Sequence, residues 1–154
     1  MKCVFLFAVL IGSVFCVERD FSVRVKGQFL CHDKPSVSLP LDIYYQSNIM
    51  LYPDYMARFT DAEGKFDLAA NIKVDEYMID PYIVFRHDCW ERPEMPGRCK
   101  RKIMWRIPGM NVTAKKVPEE NRIFNIGTVD LRFKHEHEVR TICGIGKLSK
   151  KSPE

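Results

Sequence analysis

Strict alternation of apolar and polar residues is the feature that most constrains this chain. Over residues 21–31, Phe21, Val23, Val25, Gly27, Phe29 and Cys31 fall on one side, and Ser22, Arg24, Lys26 and Gln28 on the other. A period of two marks a half-buried β-strand, whose successive side chains point to opposite faces of a sheet. Leu41, Ile43 and Tyr45 repeat the pattern, followed by Tyr55, Ala57 and Phe59, and by Phe66, Leu68 and Ala70. Residues 81–89 form a β-rich run, and Ile103, Trp105 and Ile107 face one way in the next. Residues 128–134, with Val129, Leu131 and Phe133 inward, and residues 139–143 complete the series. Residues 61–64 read as a four-residue hairpin turn with Gly64 at positive φ. Asp33-Lys34-Pro35, Pro108-Gly109 and residues 125–127 mark further breaks. Only residues 72–78 offer a helical segment. Seven or eight short strands at near-regular spacing predict an all-β fold, a single antiparallel β-sandwich over residues 17–143 with no second domain.

The amino terminus has a different character. Lys2 precedes a charge-free run over residues 4–17, which Glu18, Arg19 and Asp20 end abruptly. A helix needs about 20 apolar residues to span a bilayer, so this run is short for an anchor. A basic start, a short apolar core and a polar stop predict a secretory signal peptide over residues 1–16, cut after Cys16. The product is then extracellular, with no transmembrane segment. An uncleaved anchor is the alternative. Residues 144–154 read as a loose basic tail. With 46% hydrophobic and 29% charged residues, the chain is not a disordered one. Its net charge of +4 leaves no nucleic-acid footprint.

Export changes what the cysteines mean. Cys3 and Cys16 leave with the signal, and Cys31, Cys89, Cys99 and Cys143 remain. An even set in an oxidising compartment forms disulfides, with three connectivities open to four cysteines. Zinc is the rival reading, but its close CxxC-type pairs are missing. The shortest closure is Cys89–Cys99, which leaves Cys31–Cys143 to join the first and last strands; this is the expected pattern. Asn111-Val112-Thr113 is a glycosylation acceptor and predicts an exposed loop at Asn111.

Several segments invite a functional reading. Arg98, Lys100, Arg101, Lys102 and Arg106 are the densest basic stretch. In strand geometry Lys102 and Arg106 share a side opposite Ile103, Trp105 and Ile107. Lys100, Lys102 and Arg106 therefore offer a face for an anionic head group or glycan, against the plainer reading of a solvated strand. His135-Glu136-His137-Glu138 places two imidazoles near each other, but a metal site needs three or four ligands, so a solvated turn is expected. Gly144-Ile145-Gly146-Lys147 lacks the spacing of a phosphate loop, since Thr141 and Leu148 occupy its required positions. Asn48–Pro53 is apolar and is read as core packing under a loop rather than as a docking patch. His32 and His87 are the remaining candidates for a general base. No cofactor is expected.

Residues 23–31 (VRVKGQFLC) followed by His32-Asp33-Lys34-Pro35 resemble the opening strand of the nematode transthyretin-like proteins. Residues 60–66 (TDAEGKF), 80–89 (DPYIVFRHDC), 99–102 (CKRK) and 123–131 (IFNIGTVDL) resemble later blocks of that family, in its order. The resemblance runs through residues 23–143. It implies a transthyretin-like (prealbumin-like) sandwich of two sheets, secretion, and cysteines at these four places. One kind of family member bridges phosphatidylserine on dying cells to an engulfment receptor. This chain departs from the pattern in having only Asp54 as an acidic residue over residues 47–58, and in its basic tail. Related enzymes hydrolyse 5-hydroxyisourate and close on Tyr-Arg-Gly-Ser, whereas this sequence reads Lys150-Lys151-Ser152-Pro153-Glu154 there. The expectation is a non-catalytic extracellular binding or bridging module whose partner is a cell-surface protein or an anionic lipid surface. A carrier of a small apolar ligand is the second reading, and a hydrolase the third.

Overall fold

A computed structural model describes residues 4–5, 14–15, 18–46, 51–53, 58–75, 77–89 and 100–139. Its strands are β1 (Val4–Phe5), β2 (Val14–Phe15), β3 (Arg19–Cys31), β4 (Lys34–Pro35), β5 (Pro40–Gln46), β6 (Leu51–Pro53) and β7 (Arg58–Phe59). They continue with β8 (Lys65–Val74), β9 (Asp80–His87), β10 (Arg101–Arg106), β11 (Val112–Thr113), β12 (Phe124–Asp130) and β13 (Glu138–Val139). Single 3-10 turns at Gly109–Asn111 and Glu120–Arg122 are the helical elements among the described residues. β1 and β2 pair with each other, apart from the two main sheets.

The long alternating strand β3 organises the first sheet. β8 runs antiparallel along one edge of it, from Arg19↔Val74 to Gln28↔Lys65. On the opposite edge, β11 pairs antiparallel at Val23, and β12 pairs parallel from Phe124↔Val25 to Asp130↔Leu30. The second sheet has the order β13-β10-β9-β5-β6, with β7 also pairing β5. Its ladders are antiparallel throughout. Val23, Val25 and Phe29 of β3, Leu41 and Ile43 of β5, Phe66 and Leu68 of β8, Ile83 and Phe85 of β9, and Ile103 of β10 fill the space between the sheets. Phe29 is the keystone: its ring packs 4.9 Å from that of Phe66 and 4.4 Å from that of Phe85, joining the two layers. The all-β sandwich expected from the alternation is therefore present, with one parallel pair, β3 with β12.

Several local expectations are corrected. Residues 61–64 do form a tight turn, with Gly64 at φ +72° and its N–H donating to the Asp61 carbonyl at 3.0 Å. It is not a hairpin, because β7 pairs in the second sheet and β8 in the first. The proposed helix over residues 72–78 is absent among the described residues; Ile72 is a buried residue of β8, in phase with Leu68 and Ala70. Residues 125–127 are a bulge within β12, with Gly127 at φ +70° and the Asn125 side chain accepting its N–H at 3.0 Å. Strand β12 consequently starts at Phe124 and ends at Asp130. Phe133, expected inward, lies beyond that end and is exposed.

Candidate functional site

The outer face of the second sheet is set by the same alternation that buries Ile83, Phe85 and Ile103. On that face Lys102 of β10 stands directly opposite Arg86 of β9, and Met104 stands opposite Val84. Val84 in turn faces Asp42 of β5. Like charges directly opposite on one face of a ladder repel, which makes the Arg86–Lys102 pair a cost to the fold. Neither side chain has an ion pair among the described residues. Lys100, just before β10, is exposed.

The other end of this face is different. Arg106 Nε donates to Asp80 Oδ1 at 2.6 Å, and the Tyr82 hydroxyl donates to Asp80 Oδ2 at 3.0 Å. That carboxylate hydrogen-bonds Arg106 and raises its pKa, while burial and Asp80 raise that of Tyr82. The face expected at Lys100, Lys102 and Arg106 is thus divided. Arg106 is already neutralised, and Arg86, which the sequence reading did not include, completes the basic end with Lys100 and Lys102. Its signal was available: Arg86 sits opposite in phase to Phe85 and His87.

Arg101 belongs to neither end. It shares the phase of Ile103 and is 6% exposed, so it is a buried side chain rather than part of a basic surface. Its guanidinium donates to the carbonyls of Cys89 (3.2 Å), Leu131 (3.0 Å), Arg132 (3.1 Å) and Phe133 (2.7 Å), and to the carboxylate of Glu138. Planar and many-donored, this fork satisfies a whole chain reversal, which a lysine could not do. The Arg101 hydrogen bond holds the Glu138 carboxyl below its usual range. Next to this pair lies His87, 3% exposed, with neither ring nitrogen hydrogen-bonded among the described residues. Burial first, and the Arg101 charge second, push its pKa down to about 4. It is a neutral core residue without access to a substrate.

Cys31 at the end of β3 is bonded to Cys89 just after β9, with Cα atoms 5.8 Å apart. The expected pairs Cys31–Cys143 and Cys89–Cys99 are therefore overturned. The physical reason is phase: Cys31 follows Phe29 and Cys89 follows Phe85 on the inward sides of two facing sheets, so the bond closes the sandwich. His32 lies beside the two sulfurs, in a tight reversal where His32 and Asp33 both have positive φ. Joined sulfurs are not thiolate ligands, so Cys31, His32 and Cys89 do not form a metal site in this state. Cys99 and Cys143, Arg98, residues 48–50 of the apolar segment and the basic tail lie outside the described residues.

The two imidazoles of the His135–His137 segment stack near Trp105, at centroid distances of 6.4 and 5.7 Å. They engage different polar partners: His135 the Asp130 carbonyl and His137 the Glu136 carboxylate. Asn111, expected on an exposed loop, is half-buried in the first 3-10 turn, its side-chain amide donating to the Arg122 carbonyl at 3.2 Å. Thr113 of the same sequon is buried. An open groove of about 610 Å³ lies beside the first sheet, lined by Lys26, Gln28, Lys65, Asp67 and Asn125 together with Phe59 and Phe66.

These features define a two-sheet, disulfide-closed β-sandwich whose central strand β3 pairs antiparallel with β4, β8 and β11 and parallel with β12. Residues 26–108 match the model of the transthyretin-like family. Transthyretin-like protein 1 of Caenorhabditis elegans is 30% identical over 143 residues, covering 88% of each chain. Transthyretin-like protein 46 of the same organism is 26% identical over 143 residues, covering 92% of this chain and 77% of the relative. A 9R-lipoxygenase from Cyanothece PCC8801 superposes with a TM-score of 0.33 and 13% identity, covering 73% of this chain and 17% of that one; a likeness so slight bears on nothing below. The chain belongs to the transthyretin-like family.

Proposed function

We propose that the chain is a secreted, non-catalytic binding module that engages anionic groups at cell surfaces through Arg86, Lys102 and Lys100. One observation carries this reading: two cations, an exposed Arg86 and a half-exposed Lys102, stand directly opposite each other on one sheet face with no ion pair among the described residues. Such a pair costs stability in the free protein, and an anionic head group bound between the two side chains removes that cost. Each basic side chain near an anionic membrane is worth about 1 kcal/mol, so three give useful but salt-sensitive attachment. Export rests on the short apolar leader, and Asn111 is its proposed glycan site. No helix of the described residues is long and apolar enough to cross a membrane.

Neither rival reading finds a comparable feature. The groove beside the first sheet sets Lys26, Lys65 and Asp67 next to Phe59 and Phe66, a mixed lining rather than an enclosed apolar cavity. The histidine best placed for proton transfer, His87, is sealed in the core and neutral. The test is sedimentation of the mature chain with phosphatidylserine vesicles at low salt. Wild-type protein binds, and binding falls as salt rises. Changing both Arg86 and Lys102 to Ser weakens binding at unchanged fold. Wild-type protein that ignores the vesicles removes the proposal.

A further inference from the structure

Among the described residues, β13, β6 and β7 have two or three residues each, and β12 is broken by its bulge. β8 is ten residues long, regular, and free of proline and glycine. Its one partner among the described residues is β3. Long unbroken edges invite pairing, and proteins usually blunt them.

The direction of the unpaired groups follows from one bond. Phe29 N–H donates to the Gly64 carbonyl, so in this register the even residues of β8 turn their backbone groups toward β3. The odd residues Asp67, Ala69, Asn71 and Lys73 turn theirs to the edge away from β3, which has no strand partner among the described residues, and their side chains are exposed on the outer face.

We infer that β8 pairs antiparallel with β8 of a second copy of this chain, centred on Ala70, so that the two first sheets become one continuous sheet. Charge selects this register. Asp67, which also holds Arg24 of β3, then stands opposite Lys73 of the other copy, which also meets its own Glu18, and by symmetry the pair occurs twice. A shift of one residue per chain either way sets Lys65 opposite Lys73, or Asp67 opposite Asp75, both like-charged. Faces are conserved, since odd residues meet odd and even meet even, so Leu68 and Ile72 remain on the core side. Ala69 and Asn71 meet at the centre and are small enough for close approach. The contact is isologous, as a two-fold dimer requires.

The experiment is a mass measurement in solution by light scattering on the mature chain. Wild type runs at twice the monomer mass. Asp67→Lys alone opposes two lysines twice over, Lys73→Glu alone opposes two carboxylates twice over, and each runs as a monomer. An equimolar mixture of the two variants restores the doubled mass, because every cross-chain pair is again of opposite sign. Ala69→Pro removes an edge-facing N–H that β3 does not use and gives a monomer with an unchanged circular dichroism spectrum. A monomeric wild type at millimolar concentration overturns the inference. So do single variants that dimerise as wild type does, or a mixture that stays monomeric.

Discussion

Replacing His87 by Leu removes one buried titrating group and converts the protein's acid response into a measurable difference. In the folded chain the His87 pKa is pushed down to about 4 from the ordinary 6.5. Between those values the unfolded chain takes up a proton that the folded chain refuses, so stability falls as pH drops through this window and is fully present above 6.5. One pKa unit corresponds to about 1.4 kcal/mol, so this histidine alone accounts for a loss of about 3 kcal/mol between pH 7 and pH 4. Carboxylates with lowered pKa, such as Asp67 and Glu138, add their own losses at the acid end. They remain in the variant, so subtracting its profile isolates His87. Urea unfolding followed by tryptophan fluorescence at intervals from pH 7.5 to 4 gives both curves, with the slope m as a check that the unfolded state is unchanged. At pH 7.5 the variant is as stable as wild type or more so, because two unpaired ring nitrogens leave the core. Parallel wild-type and variant curves would falsify the burial argument.

Arg101→Leu strands the Glu138 carboxylate and four carbonyls and costs about 3–5 kcal/mol; Arg101→Lys recovers less than half of that, and a urea-measured loss below about 1 kcal/mol for either contradicts the stapling role. Non-reducing peptide mapping finds Cys31 joined to Cys89, a closure across 58 positions worth about 4 kcal/mol in the chain-entropy model. Cys99 and Cys143 are then left for each other; a fragment joining Cys89 to Cys99 contradicts this. N-terminal sequencing of exported protein starts at Val17, and its gel mobility shifts on glycosidase treatment unless Asn111 is changed to Gln; an intact Met1 or an unaltered shift in the variant refutes the respective half.

Alternation made the inward faces of β3, β8 and β9 readable, because a strand buried on one side leaves no choice of phase. Arg101 counts in the densest basic stretch of the sequence, yet alternation sets it in phase with Ile103, and an inward-phased arginine is better read as a buried staple. The disulfide was misread because loop closure favours Cys89–Cys99, whereas the shared inward phase of Cys31 and Cys89 in facing sheets was the decisive signal. A glycine at positive φ serves a bulge as well as a turn, which is why residues 125–127 concealed the first half of β12. Nothing in the pattern announced that β12 runs parallel to β3, or that β7 and β8 part company after Gly64, since pairing partners depend on the whole sheet. Arg86 gained its meaning only when the register set it against Lys102.

The binding claim is tested most directly by mapping where an anionic head group touches the protein. Titration of isotope-labelled mature chain with short-chain phosphatidylserine below its micelle concentration, followed by amide and side-chain shifts, locates the contact residue by residue. The account predicts saturable shifts centred on Arg86, Lys102, Lys100 and Met104, fading toward Arg106 and abolished by Arg86→Ser with Lys102→Ser. Shifts confined to the groove over Lys26, Lys65 and Asn125, or no saturable shift at all, contradict it.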